Sequence, residues 1–347
     1  MKKGIVRKEI GSEFWDAPTG GSGAPLPADT RWFMSGTSAL EYIICDIKKQ
    51  RSLKRVGVPS WCCSCMIKPF LDAGADVVFY PVYVDDAGRL CCDYSAVADC
   101  DATLVLTYFG YQSLQSKGVP GGIKIRDLTH SIFSGAEADA QYYFGSLRKW
   151  VGVWTGGYAW KQGAWAIAPC DSQADPAFLR CREAAMRRKL DYLEGRSEDK
   201  DYLALYDEAE EFLDRGGVMG SCSRDIRCAA ELDVAHIRAR RRENAQVLLS
   251  AVRDMALLPE FGAEDCPMFV PILLPDRAHR DGLRRHLIAN EIYCPVHWPV
   301  SDLHVLGEKE RYLYDRSLSL VCDQRYDTAD MQRMVDAIGE YMKNNME

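Results

Sequence analysis

No stretch of this chain comes near the ~20 consecutive apolar residues that cross a bilayer, so no membrane span is read from it. Positive charge is also short: 43 Lys and Arg stand against 50 Asp and Glu, a formal net charge of −7. A surface of that sign does not displace counterions from a polyanion, which argues against nonspecific nucleic-acid binding. Small anionic substrates stay open, because a local pocket can oppose the global sign. The N-terminus, MKKGIVRKEIGSEFW, is basic but has neither an apolar centre nor a small-residue cleavage site. No secretory signal is read there, and a cytoplasmic protein is expected. Internal repeats are absent. A second cysteine knuckle is absent too: Cys62, Cys63 and Cys65 cluster in WCCSC, but Cys91 and Cys92 are adjacent and differently placed. Zinc sites pair two separated clusters, so no metal is expected. The 14 cysteines are scattered and read as small buried hydrophobes of a reducing compartment.

What remains is a globular composition, 47% hydrophobic and 27% charged over 347 residues. That length holds a large domain with a smaller partner, or two of ordinary size. Residues 1–30 carry APTGGSGAPLP and read as an arm. Alternation follows. GTSALEYIICDIKKQ has apolar residues at 40, 43, 44 and 47, a helix stripe. RVGVPS (55–60) reads as a strand, MIKPFLDAGA (66–75) as a helix interrupted by Pro69, and DVVFYPV as the next strand. Three more apolar runs, 102–109, 122–130 and 140–147, read as strands, and 156–169 as an antiparallel hairpin turning at Lys161, Gln162 and Gly163. Nearly continuous apolar strands between helices indicate a mostly parallel sheet covered on both faces.

From 174 to about 257 the texture is long, charged and helical. Its run of Arg238, Arg240, Arg241 and Arg242 reads as a solvated helix face rather than a phosphate site. The tail alternates again: MFVPILL a strand, HRDGLRRHLIANE a helix, IYCPVHWPV a strand, and TADMQRMVDAIGEYM a terminal helix with Thr328 as its cap. The expected organisation is an arm (1–30), a large domain (31–239) and a small C-terminal α/β domain (240–347).

Ligands of open α/β sheets bind beyond the carboxyl ends of strands, and four stretches fall there. SGTSAL (35–40) opens a helix whose N–H groups and dipole suit a phosphate, with Gly36 allowing close approach; Ser38 and Glu41 also fit a plain capping box. PSWCCS (59–64) offers Trp61, an aromatic for a flat ring or for the core. RDLTH offers Asp127 at a strand end, as a turn residue or as an acceptor holding a proton on a ring nitrogen, with His130 beside a phenolic oxygen. In YFGSLRKWVGVWTGG, Lys149 follows an apolar strand, as an ordinary solvated surface charge or, held dry there, as an amine with a lowered pKa that attacks a carbonyl to form a Schiff base. Phosphate cradle, carboxylate and lysine, in that order, are what pyridoxal 5'-phosphate (PLP) requires.

At these residues the chain resembles the DegT/DnrJ/StrS aminotransferases, of the fold type I PLP-dependent enzymes. SGTSAL resembles the family's phosphate-binding G-T-x-A-L, and VGVPSWCCSCMIKPFLDAGADVVFYPV follows its strand–helix–strand. DLTH is similar to its D-x-x-H/Q and SLRKW to its lysine segment. CPVHWPV and LSLVCDQRYDTADMQRMVDAI resemble its closing strand and helix. The resemblance implies an aspartate-aminotransferase-like fold, with a PLP-binding large domain and a small domain. It also implies a homodimer in which each subunit completes the other's active site. Thr37 and Ser38 would bind the phosphate, Asp127 the ring nitrogen and His130 the ring hydroxyl, with Lys149 forming the Schiff base. Two positions depart from the pattern. Cys63 falls where the family often has a ring-stacking aromatic, two residues after Trp61, and Phe144 falls where many members have a phosphate-binding serine, which Ser146 can replace.

The resemblance implies an aminotransferase, taking an amino group from a donor such as glutamate to a keto group, typically on a nucleotide-linked sugar. A dehydratase of the same family would carry His in place of Lys149. A PLP-binding regulatory protein without turnover is the other alternative. Trp154, His297 and Trp298 are candidates for contact with the acceptor, although both tryptophans also suit a core.

Overall fold

A computed structural model of the chain describes residues 9–111, 119–120, 122–135 and 138–345. The first eight residues of the expected arm lie outside them. The described elements begin with β1 (Ile10–Gly11), β2 (Arg31–Phe33), α1 (Gly36–Gln50), β3 (Arg55–Pro59), α2 (Ser64–Asp72), β4 (Asp76–Tyr80), β5 (Val82–Val84) and β6 (Leu90–Cys92). Next come β7 (Ala102–Leu106), β8 (Ile123–Asp127), β9 (Tyr142–Ser146), β10 (Gly157–Lys161), α3 (Pro176–Leu193), α4 (Tyr202–Asp214), α5 (Ser223–Ala230) and α6 (Val234–Val252). The last are β11 (Phe269–Leu273), α7 (Arg277–Ala289), β12 (Ile292–Tyr293), α8 (Glu308–Arg316), β13 (Ser317–Val321) and α9 (Thr328–Asn345).

The chain divides into two compact units. The first comprises Glu13–Arg51 and Tyr142–Val234, together with Glu9; the second comprises the described parts of Ile10–Ser12, Ser52–Gln141 and Ala235–Glu347.

In the first unit β10 lies between β2 and β9 and is antiparallel to both, with Gly157 opposite Phe33 on one side and Ser146 on the other. Helix α1 packs on these strands through the expected stripe, since Leu40, Ile43, Ile44 and Ile47 are all buried. Its cap is Ser35, whose Oγ accepts the Ser38 N–H at 3.1 Å, so the helix cap sits three residues earlier than the Ser38–Glu41 pair suggests. The expected hairpin over 156–169 is half present. Only β10 forms, because the amides of Ala166 and Ile167 bond Asp46 Oδ1 at 2.6 and 3.2 Å instead of a partner strand. Asp46 is fully buried, and its Oδ2 takes the Tyr142 hydroxyl at 2.7 Å and Lys161 Nζ at 2.8 Å.

In the second unit β4, β3, β7 and β8 are parallel neighbours in that order, with Leu106 opposite Asp127 at the carboxyl end. Their apolar runs are the sequence signature of strands buried on both faces. Helix α2 continues through Pro69, which sits in its interior, where an interruption was expected. The strand over 102–109 stops at Leu106, because Phe109 adopts φ 54° and turns the chain.

Farther along this unit, β11 and β13 pair antiparallel over a core shared with α6, α7 and α9, including Leu248, Ile272, Leu283, Leu320 and Met334. The strand expected over 292–300 is reduced to β12. Helix α9 is capped by Asp327, whose Oδ1 accepts the Ala329 and Asp330 N–H groups at 3.0 and 3.2 Å; Thr328 is the first helical residue.

The arginine run on α6 corrects the solvated-face reading. Arg241 is buried and donates to Gln324 Oε1 at 2.8 Å and Met268 O at 3.0 Å. Arg238 donates to Phe133 O, and Arg242 to Gly262 O and Asp265 O, both at 2.7 Å. Of the four, Arg240 pairs with a surface carboxylate, that of Glu243. The others satisfy carbonyls of irregular segments, which need donors when buried.

Candidate active site

In the first unit the N-terminus of α1 meets the end of β9. The first N–H groups of a helix have no intrahelical partner. Ser35 Oγ takes that of Ser38, leaving those of Gly36 and Thr37 at the helix end. The Ser38 hydroxyl is committed elsewhere, donating to Gly217 O at 2.8 Å. A Cβ built on Gly36 would lie 3.5 Å from Ser146 Cβ, so Ser146 borders the helix end. Its Oγ is buried and has no hydrogen-bond partner. Phe144, by contrast, is core. Free amides, the positive end of a 15-residue helix and an unsatisfied hydroxyl form a donor set that fits a phosphate monoester. Gly157 permits this approach: a Cβ there would meet Ser35 O at 2.0 Å.

Strand β9 ends at Ser146 and passes into a 3₁₀ turn, Leu147–Lys149. Successive side chains of such a turn point about 120° apart. Leu147 and Arg148 are buried and Lys149 is exposed. The dry amine expected from the flanking apolar residues is therefore corrected: the strand and the turn bury its neighbours, while Lys149 itself faces out.

Charges gather around it. Arg148 pairs with Glu210 at 2.7 Å, and Arg182, 1% exposed, lies 3.5 Å from Glu13. Burial pushes the Glu210 carboxyl up, but Arg148 and Lys149 outweigh it and hold it at about 2. Burial acts on Glu13 in the same way, and Arg182, then Lys149 and Arg148, hold it below the usual carboxylate range. Both carboxylates are partly open to solvent, so this attraction is screened. Sequence reasoning missed Glu13 in the arm and Arg182 and Glu210 in the charged helices α3 and α4; charged residues in such polar surroundings give no signal until packing brings them together.

In the second unit Asp127 ends β8 and is buried, with Oδ1 accepting the Thr129 N–H at 2.7 Å. Burial raises its carboxyl to about 6, against the pull of the Thr129 hydrogen bonds. His130, also buried, has its ring near-parallel to those of Phe109 at 5.1 Å and Trp298 at 5.4 Å. The Phe109 N–H points to its Nδ1 at 3.4 Å, which in the neutral ring leaves the proton on Nε2. Trp61 is wholly buried and stacked on Tyr108 at 4.9 Å, so one of its faces is already taken. His297 and Trp298 are half-buried and join this aromatic group, His297 standing 5.7 Å from His130 and Trp298 5.7 Å from Trp61. Trp154, in the first unit, lies under the Arg224 guanidinium at 4.3 Å and packs against a hydrophobic cluster.

Cys63 precedes α2 and forms a disulfide with Cys65. The reading of all cysteines as reduced is corrected for these two; the residues are close enough because the chain turns into a helix between them. Among the described residues no cluster of His, Cys, Asp and Glu could hold a metal ion, and no helix is long and apolar enough to cross a membrane.

No protein-family model and no curated sequence matches the chain. Its backbone does match solved structures. The α/β arrangement, with its mostly parallel sheet, is fold type I of the PLP-dependent enzymes, the fold of the aminotransferases it superposes on. The chain is similar to Helicobacter pylori PseC, an aminotransferase involved in the biosynthesis of pseudoaminic acid, with 13% identity over 96% of this chain and 100% of that one and a TM-score of 0.64. It is similar to the aminotransferase TlmJ of Streptoalloteichus hindustanus, with 17% identity, coverage of 92% and 87%, and a TM-score of 0.60. A DegT DnrJ EryC1 StrS aminotransferase from Brucella abortus matches at 18% identity, coverage of 90% and 85%, and a TM-score of 0.57. At these identities the likeness establishes the fold.

Proposed function

We propose that this chain is a PLP-dependent aminotransferase that moves an amino group from glutamate, or a similar donor, to a keto group on a nucleotide-linked sugar. The observation that carries the reading is the unsatisfied, buried Ser146 hydroxyl beside the N-terminus of α1, three residues before Lys149 on one strand and turn. A phosphate cradle and an available amine on adjoining residues are what anchoring this cofactor needs. The fold shared with PseC and TlmJ supports the same class.

When bound, PLP supplies a ring that withdraws electrons from the carbon bearing the transferred amine. The roles of this chain's residues follow. Gly36 and Thr37 offer amides to the phosphate, Ser146 offers its hydroxyl, and Ser38 secures the helix end through Gly217. Lys149 Nζ would be the amine that holds the cofactor's aldehyde and the group that moves the proton. By the resemblance, Asp127 would be the acceptor that holds a proton on the ring nitrogen, and His130 would lie beside the ring hydroxyl. By the same resemblance the working unit would be a homodimer.

The test is borohydride reduction of PLP-loaded protein followed by peptide mapping. A label on Lys149 is the expected result, and a label elsewhere refutes the assignment. Asp127→Asn should retain cofactor and lose most turnover. Spectra with glutamate and other amino donors separate an aminotransferase, whose absorbance converts, from a regulatory protein, whose spectrum stays inert. Amine transfer to nucleotide-linked keto-sugars against simple 2-oxo acids then identifies the acceptor.

A further inference from the structure

Residues 60–65 leave β3 and open α2, and the two halves of this turn are held differently. Ser60 to Cys62 are anchored from several directions. The Tyr314 hydroxyl donates to Ser60 O at 2.8 Å and accepts the Cys62 N–H at 3.1 Å, and His304 Nε2 lies 3.1 Å from Cys62 O. The Tyr108 hydroxyl donates to Trp61 O at 2.6 Å, and Trp61 Nε1 donates to His297 O at 2.9 Å. At Cys63 these outside anchors stop. The next residues are held by the helix itself, through the Met66 N–H on Cys63 O at 3.0 Å, and by the Cys63–Cys65 disulfide, whose Cα atoms are 5.3 Å apart.

We propose that Cys63 and Cys65 form a reversible dithiol–disulfide site whose redox state sets the order of the first turn of α2, while Ser60–Cys62 stay fixed in both forms. Three features support exchange over a permanent staple. Cys65 is exposed and Cys63 half-buried, so an external thiol reaches the bond. The closed loop is three residues long, the kind that constrains the unfolded chain least, so the fold does not depend on it. Cys63 stands at the N-terminal end of a helix with no acidic residue in its first turn, where a thiolate is favoured and leaves readily. The adjacent Cys62 does not compete: it is buried, and burial together with the Asp127 charge pushes its thiol far up.

The exchange balances with a dithiol reductant. Its thiolate attacks Cys65 Sγ, the S–S bond breaks, and Cys63 leaves as thiolate. The reductant's second thiol then displaces Cys65 and closes into its own disulfide. Two electrons pass to the protein, and Cys63 and Cys65 each take up one of the two protons released. Oxidation runs the same steps backwards.

The experiment equilibrates the full-length protein in mixtures of reduced and oxidised dithiothreitol, quenches in acid, and alkylates with N-ethylmaleimide for peptide mass mapping. The expected result is a change from no label to two labels, on Cys63 and Cys65, in protein that stays folded, and the same change in Cys62→Ser. Amide hydrogen exchange over 63–67 should be several-fold faster in the reduced form and in Cys65→Ser, with residues 58–62 unchanged. The proposal is overturned if both thiols label at every mixture, if the pair resists reduction until the protein unfolds, or if exchange over 63–67 is the same in both forms. None of these readouts needs PLP or activity, so they stand or fall apart from the proposed function.

Discussion

Arg148 and Lys149 are neighbours in sequence with opposite surroundings: Arg148 is buried and ion-paired to Glu210 at 2.7 Å, and Lys149 is exposed one residue later. The pair separates a structural charge from an available one. Lys149→Ala should change stability by no more than about 0.5 kcal/mol, as for other exposed substitutions. Arg148→Ala removes a buried guanidinium but leaves a partly solvated Glu210, so its cost is put below that of a fully buried pair, at about 1–2 kcal/mol. Urea titrations of the two variants check the contrast; equal losses would refute it.

Asp127 makes the cofactor-free protein pH-dependent in a stated direction. Its native carboxyl titrates at about 6, above the ordinary 3.8, so the folded state binds the proton more tightly. The stability it contributes is complete in acid and is lost as pH rises from about 4 through about 6. Asp127→Asn, which cannot ionise, should match the parent at pH 4 and exceed it at pH 7 by up to roughly 3 kcal/mol. Denaturation midpoints of the two apoproteins at pH 4, 5, 6 and 7 measure this; a variant weaker than its parent at pH 7 would contradict it.

Lys161 shares the Asp46 carboxylate with the Tyr142 hydroxyl and two backbone amides. Burial pushes the Asp46 carboxyl up, but the bonds to Lys161, Tyr142 and Ala166 hold it below the ordinary range. Its stabilisation is therefore present above about pH 4 and fades as pH falls through the lowered native value. Lys161→Ala leaves a buried carboxylate short of its cation and should cost about 3 kcal/mol at pH 7. The loss should shrink in acid, which thermal melts at both pH values would show.

Gly157→Ala tests the approach of α1 to β10. The new Cβ would fall 2.0 Å from a backbone oxygen of Ser35, which no side-chain rotation relieves, so a loss of about 3 kcal/mol is expected. Gly36→Ala, whose Cβ makes ordinary 3.5 Å contact with Ser146, should be nearly neutral for the fold and weaken phosphate binding. Calorimetry on both, with phosphate titration of the second, distinguishes the two glycines.

Much of the architecture was legible in the sequence because it is written in short-range pattern. The α1 stripe, the apolar runs of β3, β7, β8 and β9, and the helical texture of 174–257 all correspond to observed elements. Two of the readings that failed concerned polar groups whose partners are far away in sequence. Ala166 and Ile167 look like a hairpin arm until Asp46 claims their amides 120 and 121 residues away. Arg241 looks solvated until Gln324 and Met268 receive it. The Thr328 cap failed locally instead, because Asp327, one residue earlier, takes the Ala329 and Asp330 amides.

The amino-acid sequence alone determined the alternation of elements, the glycine-led start of α1 and the carboxylate at the end of β8, because periodicity and terminal residue preferences act over a few residues. Only the tertiary structure decided that Ser146 is left without a partner, that Asp127 is buried enough to titrate near 6, and that Lys149 faces out while Arg148 faces in. Those outcomes depend on what packs against each side chain. Solvation and charge are properties of the folded neighbourhood, and no local window of sequence contains it.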